Sequence, residues 1–177
     1  MLALVKKSIL AYDKVGNFLT KYLEPLWLMG LRAYLATVFF KSGLQKLQDF
    51  DGTVYLFTEY YFLDFETGEN VIPFAPTSLE LMAYLGTAFE LLLPIALILG
   101  LLTRLAALPL LSMALVIQYV MGAIHPDDFY TYEHFIWIAG FSYLIIRGPG
   151  WLSIDHWLAV WAKKSAPAKE ADEKASD

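Results

Sequence analysis

The chain has 177 residues, no cysteine and a formal net charge of −5, with 58% of its residues hydrophobic and 18% charged. Soluble domains carry about 45–50% apolar and about 25% charged residues, so the balance points to a membrane. The missing cysteines exclude structural disulfides and thiolate metal sites, and no basic stripe is wide enough for nucleic acid.

Residues 1–23 lack the continuous apolar core and small-residue cleavage site of a signal peptide. Leu2, Val5, Ile9, Tyr12, Val15, Leu19 and Leu23 recur at helical spacing, while Lys6, Lys7, Lys14 and Lys21 fill the other face. That pattern predicts an amphipathic helix lying in the lipid headgroup plane. Four apolar segments follow, at about residues 26–47, 79–102, 105–123 and 133–146, against the about 20 residues that a bilayer core requires. Pro25 opens the first, a position where its missing N–H costs nothing. The fourth is short, and Gly148-Pro149-Gly150 stops it.

Loop charge sets an orientation. The N-terminal segment holds four lysines, the second link Arg104, and the end of the last segment Arg147, Lys163 and Lys164. The loop at residues 48–78 has Asp49, Asp51, Glu59, Asp64, Glu66 and Glu69 without a lysine or arginine, and the third loop has Asp127 and Asp128. The alternation places both termini in the cytoplasm and the protein in a bacterial inner membrane, multi-pass. The fold expected is therefore all-α: an integral membrane four-helix bundle with an N-terminal interfacial helix. Residues 1–161 make one four-span domain, and residues 162–177, rich in Ala, Lys, Glu and Asp, make a disordered cytoplasmic tail. The long outer loop, with Tyr55, Phe57, Tyr60, Tyr61, Phe62 and Phe65, is too aromatic for free solution and is expected to fold back on the membrane or cover a cavity.

Ionisable groups inside spans mark functional sites. Glu90 sits mid-way along the second segment, and Arg32 in the first is expected to pair with it or to share a proton-carrying site. Gln118 lies at nearly the same depth as Glu90 by helical rise. Lys41 points away from Arg32 and should reach the outer headgroups, whereas Lys46 returns to the Arg32 face in the series Arg32, Ala36, Phe39, Gly43, Lys46. Gly43 allows a close helix neighbour there. At the outer rim His125, Glu133 and His134 offer a metal site, hydrogen bonds from the two histidines to a quinone carbonyl, or merely two isolated surface histidines; their spacing matches no metal signature, and no metal is assigned. Ser153 is placed to cap the helix that follows the Gly-Pro-Gly break.

Arg32, the run Phe40-Lys41-Ser42-Gly43-Leu44-Gln45-Lys46-Leu47, Glu90-Leu91-Leu92-Leu93-Pro94, Gly100-Leu101-Leu102-Thr103-Arg104-Leu105-Ala106-Ala107, Gly148-Pro149-Gly150 and Ser153-Ile154-Asp155-His156 together resemble the DoxX family of small bacterial membrane proteins. The loop ending in Pro73 and Pro76 looks most like the branch encoded beside peptide-modifying iron enzymes. The resemblance implies a four-helix inner-membrane protein and singles out Arg32, Lys46, Glu90 and Arg104. Relatives are associated with thiosulfate oxidation to quinone and with oxidative or metal stress, and the resemblance supplies no catalytic residue set. The function expected is a subunit of a quinone-linked redox system in sulfur, metal or oxidative stress. The residues themselves suggest Glu90 and Arg32 as its chemical groups and Lys46, Gln118, His125 and His134 around the quinone. The sequence has no flavin, haem or iron–sulfur signature, so electrons would come from a partner protein or small substrate. The alternatives are a non-enzymatic membrane anchor or accessory factor for a metal-binding peptide, and a small transporter.

Overall fold

The computed structural model of the chain describes residues 2–59, 79–122 and 131–176. Most of the aromatic outer loop and His125 lie outside these residues. Every element among the described residues is helical. Helix α1 is Leu2–Phe18, and a π-helical turn, Leu19–Leu23, joins it to α2, Glu24–Gln48, with Pro25 in the first turn of α2. A short α3, Phe50–Glu59, follows, and then α4, Leu79–Leu99. Helix α5, Thr103–Leu115, continues as a π-helical segment, Val116–Met121. Helix α6 is Tyr132–Arg147 and α7 is Ile154–Ser176. Helices thus cover each of the four apolar segments, and α4 and the α5–π stretch are long and apolar enough to cross a membrane.

Two differences from the sequence reading are local. Residues 50–59, expected as part of an irregular outer loop, form α3 because Asp49 caps it: its Oδ1 accepts the Gly52 N–H at 3.0 Å. Residues 162–176, expected as a disordered tail, continue α7 as helix.

Helix α2 packs along α4, α5 along α6, and α4 against α5. Their directions alternate. Gly43 near the end of α2 meets Glu90, while Arg32 near its start meets Gly100, just past the end of α4. A Cβ on Gly43 would stand 3.0 Å from the Glu90 backbone, so only glycine lets the two helices approach this closely. The core between them is Leu28, Leu35, Ala36 and Phe39 of α2 with Leu97, Ala107, Leu110, Phe141 and Leu144. Phe39 meets Trp137 and Phe141 edge to face, with centroids 5.5 and 5.2 Å away. Outside this core, Leu81, Leu85, Phe89, Leu92, Ile95, Ile98 and Leu99 of α4 are exposed, as are Leu102, Leu105 and Leu108. Inside it, Arg32, Thr87, Glu90, Thr103, Gln118 and His134 are buried. Polar groups within and an apolar exterior invert the arrangement of a soluble protein.

At one end of the helices the chain folds into a tight polar junction. The turn between α4 and α5 needs positive φ at Gly100 (66°) and Leu102 (47°). Asp155 closes it. Its carboxylate accepts the Leu102 and Thr103 amides at 2.7 and 2.9 Å and the Thr103 hydroxyl at 2.9 Å, capping α5 from the start of α7. Ser153 caps α7 in turn, its hydroxyl oxygen accepting the His156 N–H at 3.2 Å.

Candidate functional site

The buried ionisable groups fall into two separate places. Glu90 pairs with Lys46, whose Nζ lies 2.6 Å from Oε2. Lys46 also donates to the Ser42 hydroxyl at 2.8 Å. The Glu90 side chain is 3% exposed and that of Lys46 18%, so the pair sits at the wall of the protein interior rather than at its surface. This corrects the expected Glu90–Arg32 pair. Arg32 instead donates through Nη2 to the Leu152 carbonyl at 2.5 Å, at the junction end of the helices. Its Nε and Nη1 are buried without a hydrogen-bond acceptor. The nearest compensation is the field of Asp155, whose carboxylate is already engaged by α5. Arg32 is therefore a fastener between α2 and the chain after α6, remote from Glu90.

Lys46 comes to Glu90 because Gly43 brings the α4 backbone against α2, and Lys46 follows one turn later on the same face. Asp49 and Thr53 then hold the end of that helix: the Thr53 hydroxyl donates to the Lys46 and Asp49 carbonyls at 3.1 and 2.9 Å.

Around the pair are two cavities. The larger, about 310 Å³, is walled by Phe57 of α3, Met82 and Phe89 of α4, and Pro109 and Met113 of α5, with Lys46 and Glu90 as its charged border. Pro109 lies inside α5 and the Ser112 hydroxyl turns back to its carbonyl at 2.7 Å. The smaller cavity, about 220 Å³, lies between α2 and α6 and is bordered by Ser42, Lys46, Glu90, His134 and Trp137. Gln118, carried inward on the π-helical segment, meets not Glu90 but His134: Oε1 and Nδ1 are 2.9 Å apart. π-Helical turns add a residue to the turn and often mark sites of function.

The expected outer-rim cluster is divided. Glu133 is exposed in the first turn of α6, while His134 turns inward, 8% exposed, with its ring 4.6 Å from that of Trp137. No three His, Asp or Glu side chains converge among the described residues. Lys41 is exposed on the far side of α2, and Arg104 is exposed at the junction beside Gly148. Sequence reasoning missed Trp137 and Ser42 as neighbours of the pair. The available signal was helical phase, since Ser42 lies four residues before Lys46 and Trp137 three after His134.

A protein helical throughout its described residues, with an apolar exterior and a buried ion pair beside two cavities, is by class a membrane protein with an interior polar site. The chain belongs to the DoxX family, whose sequence profile matches residues 27–123. The match takes in Arg32, Lys46, Glu90, Arg104 and Gln118 and stops short of His134. Neither a curated protein nor a solved structure matches the chain significantly.

Proposed function

We propose that α2, α4, α5 and α6 form a four-span bundle in the bacterial inner membrane and that it serves a quinone-linked redox system by holding the quinone head group at the Lys46–Glu90 pair. The observation that carries this reading is the ion pair itself, set at the border of a largely apolar 310 Å³ cleft. The cleft suits a lipid-soluble ring: Phe57, Phe89, Met82 and Met113 offer flat and adaptable apolar contacts. Lys46 has N–H groups to donate to a carbonyl oxygen, and Glu90 has a carboxylate within hydrogen-bonding distance of the same ammonium to take or return a proton. A bound quinone supplies reversible two-electron chemistry coupled to protons. Electrons come from a partner protein or a small substrate.

The alternating loop charge supports a reading with both termini in the cytoplasm, and the exposed Val5, Ile9, Tyr12 and Val15 support one with α1 on the inner headgroups. Because the chain has no native cysteine, single substitutions test this directly. Ser8→Cys and Ser165→Cys should react with an impermeant maleimide only after the membrane is opened, and Ser78→Cys in intact spheroplasts. The reverse pattern refutes the orientation.

The quinone reading is tested by extracting small molecules from protein purified in mild detergent and identifying them by mass spectrometry. Near-stoichiometric quinone is expected in the wild type and loss in Glu90→Gln. A folded wild-type preparation without quinone overturns the reading.

A further inference from the structure

The Lys46–Glu90 pair borders the second cavity as well as the first, and the two differ in character. The 220 Å³ space carries an ion pair, a hydroxyl and an imidazole on its walls. From α2 come Ser42 and Lys46, from α4 Glu90, and from α6 His134 and Trp137; Val38 and Phe39 of α2, Ile117 of the π-helical segment and Leu56 of α3 are the apolar walls. The Trp137 indole N–H is buried without an acceptor, and so is the side-chain amide nitrogen of Gln118, the partner of His134. Buried donors without acceptors are rare in folded proteins, and an ordered water is one explanation for them. Cavities that stay empty are lined by apolar groups, whereas this one has four polar side chains on its walls and, at about 30 Å³ per water, room for several.

We propose that this cavity is a water-filled chamber that conducts protons between His134 and Glu90, with His134 as the relay and Glu90 as the terminus. The transfer balances without any other reactant. An N–H bond of the His134 imidazolium breaks, the proton crosses the chamber by exchange along water, and an O–H bond forms on Glu90. Imidazolium and carboxylate become imidazole and carboxylic acid. Lys46 keeps its charge throughout and holds the receiving oxygen in place. Gln118 orients the ring of His134 through Nδ1. Two sides of Glu90 then have different duties: the apolar cleft receives the ligand and the polar chamber delivers the proton. The chamber rests on the quinone reading for its purpose, not for its existence, and its test needs no quinone.

The test is an acid jump on the intact protein in nanodiscs, followed by time-resolved infrared spectroscopy of the protonated carboxyl band of Glu90. That band is assigned by its absence in Glu90→Gln. His134→Asn keeps an amide partner for Gln118 but cannot carry a proton, and Ser42→Leu fills the chamber. Each is expected to slow the rise of the band by at least about a hundredfold, the lower end of what a positioned acid or base contributes. The thermal midpoint of His134→Asn should stay near that of the wild type, which separates relay from structure. The wild type alone gives a second reading, since the Trp137 N–H should exchange with deuterated water while the core amides remain protected. Unchanged rates in both variants, a Glu90 band that never appears, or a Trp137 N–H as protected as the core would each overturn the chamber. Quinone that co-purifies while the rates stay unchanged leaves the proposed function standing and removes the relay. A relay without quinone does the opposite.

Discussion

Arg32 and Leu152 stand 120 positions apart in the chain and meet through one guanidinium–carbonyl hydrogen bond of 2.5 Å. The contact binds α2 to the chain leaving α6, just where Gly100 turns α4 into α5. A Cβ on Gly100 would collide with both Arg32 and Ser153. The three segments therefore lock around a guanidinium that has little else to bind. The buried cation most open to a chemical reading from sequence is held at the junction, and the cation beside Glu90 is a lysine.

Arg32→Met should consequently destabilise the protein without emptying the site. The Leu152 carbonyl loses its donor and the junction a filler, a cost of about 1–3 kcal/mol. Thermal unfolding in detergent should show the loss, while quinone per folded protein stays at the wild-type level. Loss of quinone with unchanged stability would return Arg32 to the site.

At the Lys46–Glu90 pair the two single substitutions should differ. Lys46→Met strands a carboxylate whose side chain is 3% exposed, whereas Glu90→Gln strands an ammonium already 18% exposed and on a flexible stem. Lys46→Met is expected to cost more, approaching the about 3–5 kcal/mol of a broken buried pair. The double variant should be more stable than Lys46→Met. A double-mutant cycle in chemical denaturant measures the coupling.

Two glycines of α2 make a matched comparison. A Cβ at Gly43 meets the Glu90 backbone and Cβ at 3.0 Å, while one at Gly30 meets nothing within 4 Å. Gly43→Ala must separate α2 from α4, with an overpacking cost of about 1–3 kcal/mol. Gly30→Ala removes only backbone freedom and should stabilise by about 0.5–1 kcal/mol. Unfolding midpoints of the two variants give the contrast, and the 2.6 Å contact of Lys46 with Glu90 predicts reduced quinone retention in Gly43→Ala alone.

A pH dependence arises at the junction end, where Arg147 donates through both Nε and Nη2 to the Glu24 carboxylate, the second bond at 2.7 Å. Hydrogen bonding to Arg147 holds the Glu24 carboxyl below the ordinary carboxylate range, and the pairing moves Arg147 upward. A carboxyl depressed in the folded state stabilises above its ordinary pKa of about 4.3 and loses that stabilisation as pH falls through the depressed value. The thermal midpoint of Glu24→Gln should fall below that of the wild type at neutral pH, and the two should converge in acid. A gap that widens in acid would contradict the pairing.

Composition and hydropathy were enough to locate the helices along the chain, because burying apolar length is a property of each segment by itself. The bounds of α2, α4, α5 with its π-helical extension, and α6 fall close to the segments read from sequence. Gly43 as a point of close approach and Ser153 as a cap were legible for the same reason, each being a local demand on the backbone. The pairing of Glu90 was not. Counting both helices from one membrane plane leaves Glu90 about 8–9 Å above Arg32, a gap that a long guanidinium can nearly close. In the structure the end of α4 meets α2 at Arg32, eight residues past Glu24, an offset of about 12 Å that lifts Glu90 to the level of Gly43 and Lys46. Likewise the extra residue per turn in Val116–Met121 turns Gln118 onto His134. Which residues lie on one helix face follows from the sequence; the height and rotation at which two faces meet are decided by packing among helices, and those two quantities choose the partner of every buried charge.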